Sequence, residues 1–300
     1  MTANPRRDAW SAIRGFYYQI QLTVQRWLEL GPHDELFCER GEDIEIISGA
    51  LGNAPTVEQL LEQVKVRRSI SLRSSESVSA VTRFFEARQL GARPTLFRFV
   101  TTGKASKEQG ANFPRNLPGL VAWNAAKSRE LDNAEIVRVA QQAKQLLRDA
   151  PRPTDITEKL ATDFKACFDR LTPEDFTREF IDRIEWAINA EGVDSLRRDL
   201  SVSILASGRA TTEPEASTLV DLLVAHVFRL LTQPGLKRLV ARDVDHVLKQ
   251  AALSTHEQRV LTLLESFSAQ TAAQLSSLES KTDEILGLVS TSLQGTLTER

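Results

Sequence analysis

Asp43, in ERGEDIEI, and Gln63 and Lys65, in EQVKVRR, are the residues whose types and order best suit a reaction at phosphate. A lysine inside an otherwise apolar extended segment is either a solvated edge residue or a placed charge. Strand side chains alternate between faces, so Gln63 and Lys65 should project together while Val64 and Val66 enter the core on the other side. If the strand that follows Asp43 is the hairpin partner, its carboxylate arrives beside them. An acid, an amide oxygen and a lysine then share one pocket. Metal-assisted phosphodiester hydrolysis needs such a set, with a hard cation on oxygen ligands and an ammonium beside the attacking water or the developing phosphorane charge. The expected cation is Mg2+, with Mn2+ as a substitute, because magnesium keeps several waters and accepts few protein ligands. Gln63 in place of a carboxylate makes the site less negative. Glu39 and Glu42 stand near enough in sequence to compensate as metal ligands, and both also fit solvated turn charges.

The elements that must position these residues follow from the hydrophobic pattern. Apolar residues at Trp10, Ile13, Phe16 or Tyr17, Ile20, Val24 and Leu28 recur every three or four positions, which predicts an amphipathic helix over 10–30. Gly15 costs that helix stability, so it is expected to permit a close approach. LFCERGEDIEII reads as two short strands joined by a tight turn at Arg40 to Glu42, and VEQLLEQVKV as a third extended segment whose first half could also begin as a helical turn. Serines before SVSAVTRFFEARQLG, with Glu76 in the first turn and Gly91 as the stop, predict a second helix. LFRFVTT alternates and is rich in β-forming residues. The order is helix, three strands, helix, strand.

Beyond Gly110, GANFPRNLPG reads as a linker and almost everything after it is helical in period. Candidate helices are 133–149, 155–171, 173–190, 196–207, 214–231 and 241–252, with Thr172 and Pro173 as one clear start signal. From Thr255 onward apolar residues recur without proline, but Ser, Thr and Gln interrupt any coiled-coil seam. That last segment could bind a partner, pack on the preceding helices or oligomerise the chain.

Other classes fall away. A formal net charge of −2 over 300 residues gives no global basic signature. Arg67, Arg68, Arg73, Arg83, Arg88, Lys104 and Lys107 are nevertheless a candidate phosphate-contacting set. Cys38 and Cys167 have no metal spacing, the four histidines have no HExxH arrangement, and neither a GxSxG elbow nor a GxxxxGK[ST] loop occurs. No run of about 18 apolar residues suggests a membrane span, so a cytoplasmic location is expected.

GFYYQ in the first helix, ERGEDIEI with Asp43, the QVK triplet with Lys65 and the Ser-rich turn leading to Phe85 together resemble the PD-(D/E)xK restriction-endonuclease-like superfamily. The likeness spans roughly residues 10–102. It is nearest to the double-stranded DNA endonuclease domains of bacterial antiphage systems, which are linked to nucleotide-sensing (CD-NTase-associated) domains, to NACHT or STAND ATPases, or to HerA-type ATPase partners. The resemblance implies Asp43 and Gln63 as metal ligands, Lys65 as the catalytic lysine and Gln19 as the first-helix polar residue facing the site. Gln63 departs from the more usual Asp or Glu. The segment 175–205 looks like the helical part that often separates such nucleases from an ATPase or sensor.

The expectation is an α/β restriction-endonuclease-like domain over 1–115, an all-α helical region over 116–252, and a long C-terminal helix over 253–300. The expected function is metal-dependent, largely sequence-independent cleavage of double-stranded DNA as an antiphage effector. A homo-oligomer or an ATPase or sensor partner would gate it. The rival expectation is a non-catalytic adaptor whose nuclease-like domain binds DNA or protein.

Overall fold

The computed structural model describes residues 5–40, 42–50, 58–91 and 94–250. The chain divides into two compact units, 1–247 and 248–300. The first holds every element named below; of the second, residues 248–250 are described, as helix. The long helix expected over 253–300 lies outside the described residues, as does Gly41. No described helix is long and apolar enough to cross a membrane.

Helix α1 (Pro5–Leu28) precedes strands β1 (Glu35–Cys38), β2 (Ile44–Ser48) and β3 (Glu58–Lys65). A two-residue strand β4 (Ser69–Ile70), helix α2 (Ser75–Leu90), strand β5 (Thr95–Thr101) and a short β6 (Lys104–Ala105) follow. The first part therefore takes the expected order. Ser74 caps α2 through its side chain, and Gly91 ends it in an extended conformation, φ −93°, so its value there is not a left-handed turn. Gly15 serves no close approach: a Cβ there would meet nothing within 4 Å.

The later chain is helical in the main: α3 (Gly119–Lys127), α4 (Asn133–Asp149), α5 (Glu158–Arg170), α6 (Pro173–Phe176), α7 (Val193–Ala206) and α8 (Glu213–Thr232). Two segments correct the all-α expectation. The helix expected over 173–190 starts at its Thr172 cap, passes through a π turn at Thr177–Ile181, and gives way to strand β7 (Ile184–Ala187). Ile184 and Trp186 fall on one buried face at a period of two, and β7 pairs in parallel with β5, Phe97 opposite Ile184 and Phe99 opposite Trp186. The open edge of β5 thus overrides helical propensity. Strand β8 (Arg238–Val240) pairs antiparallel with β1. The six-stranded sheet has the order β7-β5-β3-β2-β1-β8 and draws both edge strands from beyond residue 115.

The two faces of β3 have different fates. Leu61 joins the main core, where Phe97, Phe99, Ile184 and Trp186 of the sheet meet Val81 and Phe84 of α2 and the aromatic residues Trp123, Phe168, Phe176 and Phe180. Glu62 faces the other way and is fully buried. Its carboxylate takes Arg26 Nε of α1 at 3.1 Å and Arg98 of β5 at 3.5 Å, while Arg98 also reaches Glu185 at 3.2 Å. Burial pushes the Glu62 carboxyl up and the two arginines pull it back down. Trp27, also on α1, donates its indole N–H to the Val240 carbonyl at 2.8 Å, fastening α1 to the β8 edge.

Glu62→Gln removes the charge that both arginines face, so it should cost about 3 kcal/mol, the low end for breaking a buried pair because Arg98 keeps Glu185. Urea unfolding of the two proteins checks this. An unchanged midpoint would mean that water satisfies the arginines as well as Glu62 does.

Candidate functional site

The register of the hairpin decides where the chemistry-bearing residues meet. β2 and β3 pair antiparallel with Ile44 opposite Glu62, which sets Asp43 across from Gln63 one step beyond the last rung. The Val64 N–H donates to Asp43 Oδ2 at 2.7 Å, so the carboxylate is anchored by the strand that carries the lysine. Lys65 Nζ lies 3.7 Å from the same oxygen. Both contacts use Oδ2 and leave Oδ1 without a hydrogen bond among the described residues.

Asp43, Gln63 and Lys65 line one cavity of about 510 Å³, together with Glu39, Arg40, Glu42, Ser75, Glu76, Ser79, Arg83 and Asp155. The Gln63 amide oxygen is buried and has no hydrogen-bond partner among the described residues. An orphaned acceptor beside a carboxylate is the donor set a hard cation takes, and magnesium needs few protein ligands. These residues therefore fit the cation, although no group of three His, Cys, Asp or Glu side chains able to hold a metal occurs among the described residues. Glu62, adjacent to Gln63 in sequence, cannot replace it, since its side chain is committed to Arg26 and Arg98 on the opposite face.

The two acids read as supplementary ligands differ. Glu39 adopts a left-handed conformation, φ 53°, and its carboxylate is paired with Lys237. Glu42 faces the cavity, and its carboxyl is pushed up to about 7 by burial and by the Asp43 and Asp155 carboxylates, against the pull of Arg83 and Lys65.

A second cavity, of about 850 Å³, shares Asp43 and Lys65 with the first and runs past α1. Arg14, Gly15 and Gln19 of α1 line it with Val64, Val66, Arg67 and Arg68. Gln19, Arg67 and Arg68 are thus brought to the site, and Arg67 is also tied to Glu76 at 2.7 Å. Val66, expected in the core, lies past the end of β3 and lines this groove. The wider basic set is not gathered: Arg73 lines a separate cavity and Arg88 pairs with Glu179.

Ser75, Ser79, Glu76 and Asp155 are lining residues that sequence reasoning passed over. Ser75, Ser79 and Arg83 share a helical spacing of four along α2, a signal that could have marked that face. Asp155 had no such signal, because it looks like a helix start; the actual α5 cap is Thr157, and Asp155 instead accepts from Ser79.

No family model matches the chain, and no curated protein matches it. Among solved structures it is similar to the Acinetobacter baumannii Cap4 SAVED/CARF-domain containing receptor, at 13% identity over 81% of this chain and 48% of that one, with a TM-score of 0.45. The same receptor with the cyclic trinucleotide 2'3'3'-cAAA gives 12% identity, 81% and 46% coverage and a TM-score of 0.47. The Moraxella osloensis Cap4 SAVED/CARF-domain containing receptor gives 16% identity, 70% and 42% coverage and a TM-score of 0.40. The chain spans about half the length of the Acinetobacter receptor chains.

Proposed function

We propose that this chain is a magnesium-dependent endonuclease that hydrolyses double-stranded DNA with little sequence preference. The observation that supports it is the meeting of an anchored aspartate, an unbonded buried amide oxygen and a lysine at the join of two cavities. On this reading the early elements form a restriction-endonuclease-like core, and the wider setting is that of the antiphage endonucleases its motifs resemble. Self-association, or a HerA-type or STAND ATPase or a sensor partner, would then restrain the activity.

Asp43 Oδ1 and Gln63 Oε1 would hold the cation, which when bound supplies Lewis acidity at a phosphoryl oxygen and a more acidic water. Lys65 meets the negative charge that grows on the phosphorane, its ammonium standing 3.7 Å from Asp43 at the cavity. The Val64 N–H holds the Asp43 carboxylate in one orientation, so no reorganisation is needed during the reaction. Arg14, Arg67 and Arg68 along the α1 groove supply cations for backbone phosphates. A second reading, duplex binding without cleavage, is favoured by the absence of a three-acid or histidine cluster among the described residues.

Plasmid cleavage in magnesium or manganese tests the first reading. Lys65→Ala should lower the rate by roughly 100-fold or more while leaving duplex binding in place. Duplex binding with no cleavage by the unsubstituted chain, with or without an ATPase neighbour, would select the second reading.

Glu42 gives a test in chelator, without metal. A carboxyl whose pKa rises from 4.5 to about 7 on folding takes up a proton, so its contribution is full below pH 4.5 and is lost as pH rises through 7. Glu42→Gln should flatten the fall in stability over that window and leave the variant the more stable protein above neutrality. Parallel unfolding midpoints for both proteins across the range would show that Glu42 is not held back.

A further inference from the structure

The cavity that Lys65 lines also contains a convergence that the proposed hydrolytic residues do not use. Ser79, only 5% exposed, donates its hydroxyl to Asp155 Oδ2 at 2.6 Å. Arg83, one helical turn further along α2, places a guanidinium nitrogen 3.1 Å from that same oxygen. Most other charges lining the cavity are paired near at hand, Arg40 with Glu45, Glu76 with Arg67, Glu39 with Lys237 and Lys65 with Asp43, whereas Glu42 has no ion pair among the described residues and feels Arg83 and Asp155 through space. Asp155 comes from the irregular segment between α4 and α5, and its side chain is about half exposed at 48%.

A buried hydroxyl and a guanidinium directed at one anionic oxygen make a donor pair that suits a phosphate oxygen as well as a carboxylate. The cavity they line is shared with Asp43, Gln63 and Lys65, so a polynucleotide with one phosphate at Lys65 would carry a neighbouring phosphate toward them. Asp155 and that phosphate cannot both occupy the pair, since two anions would then share one pair of donors.

We propose that Ser79 and Arg83 form a second phosphate subsite for the nucleic acid, and that Asp155 fills it as an internal carboxylate until substrate displaces it. This rests on the nuclease reading above. Seated Asp155 lowers substrate affinity in the resting protein, and its departure frees both donors together.

The test uses the full chain in a Lys65→Ala background, which separates binding from cleavage, with inorganic phosphate in calorimetry and a short duplex in fluorescence anisotropy. Adding Asp155→Ala should tighten both by about tenfold, and Asp155→Asn, which keeps an acceptor for Ser79, should tighten both by less. Adding Arg83→Gln should erase the gain. Unchanged affinities in both Asp155 variants, or a gain that survives Arg83→Gln, would overturn the subsite. If Asp155→Ala proves unstable, Asp155→Asn decides alone. Cleavage by the Lys65-intact chain is read separately: a phosphate gain without any cleavage keeps the subsite and removes the nuclease, and cleavage without a gain does the reverse.

Discussion

Strand β3 is constrained on both faces at once, and the site depends on that. Glu62 is fully buried against Arg26 and Arg98. A shift of one residue in register would drive Gln63 into the two arginines and turn the carboxylate toward the aromatic core, which a buried charge does not tolerate. With Glu62 fixed, Gln63 and Lys65 have no choice of face. The same register brings Asp43 opposite Gln63, where the Val64 N–H captures its carboxylate. A charge cluster outside the cavity thus fixes the face on which the candidate residues lie.

How much of this was legible follows from how local each signal is. The QVK strand, the hairpin and α2 rest on alternation, turn residues and a serine cap, all within short windows, and they stand where the pattern put them. Helix α4 runs Asn133–Asp149, the expected range, because Asp132 and Glu135 form a capping box at its start. Strand β7 was hidden because Thr172 and Pro173 start a real helix and the period-two pair Ile184 and Trp186 matters only once β5 offers an open edge. Strand β8 has three residues, too few to show a period. Helix α3, GLVAWNAAK, is apolar on most sides and so lacks the stripe that marks an amphipathic helix.

The candidate site divides along the same line. Asp43, Gln63 and Lys65 could be grouped from sequence because a hairpin is a local object. Glu39 and Glu42 could not be told apart, since the distinction comes from Lys237, far along the chain, which pairs with Glu39 and leaves Glu42 facing the cavity. Asp155 was misread outright: aspartate before a periodic stretch is a good helix start, yet its carboxylate is spent on Ser79 and Arg83.

That use of Asp155 has an energetic asymmetry that suits an exchangeable contact. The chain that follows Asp155 is held: Ile156 is buried, its carbonyl accepts from Arg152 at 2.8 Å, and Phe164 of α5 packs edge-on to Phe85 of α2 at 5.7 Å between ring centroids. Aromatic burial of this kind contributes several kcal/mol, whereas the half-exposed ion pair of Arg83 with Asp155 contributes about 0–1 kcal/mol and the Ser79 hydrogen bond to that carboxylate roughly 1.5–3 kcal/mol. The segment can therefore keep its place while the carboxylate rotates away. Because the sheet takes its edge strands from the later chain, this wall and the strand that carries Lys65 belong to one packed body, and a phosphate arriving at Ser79 and Arg83 would meet donors already set in position.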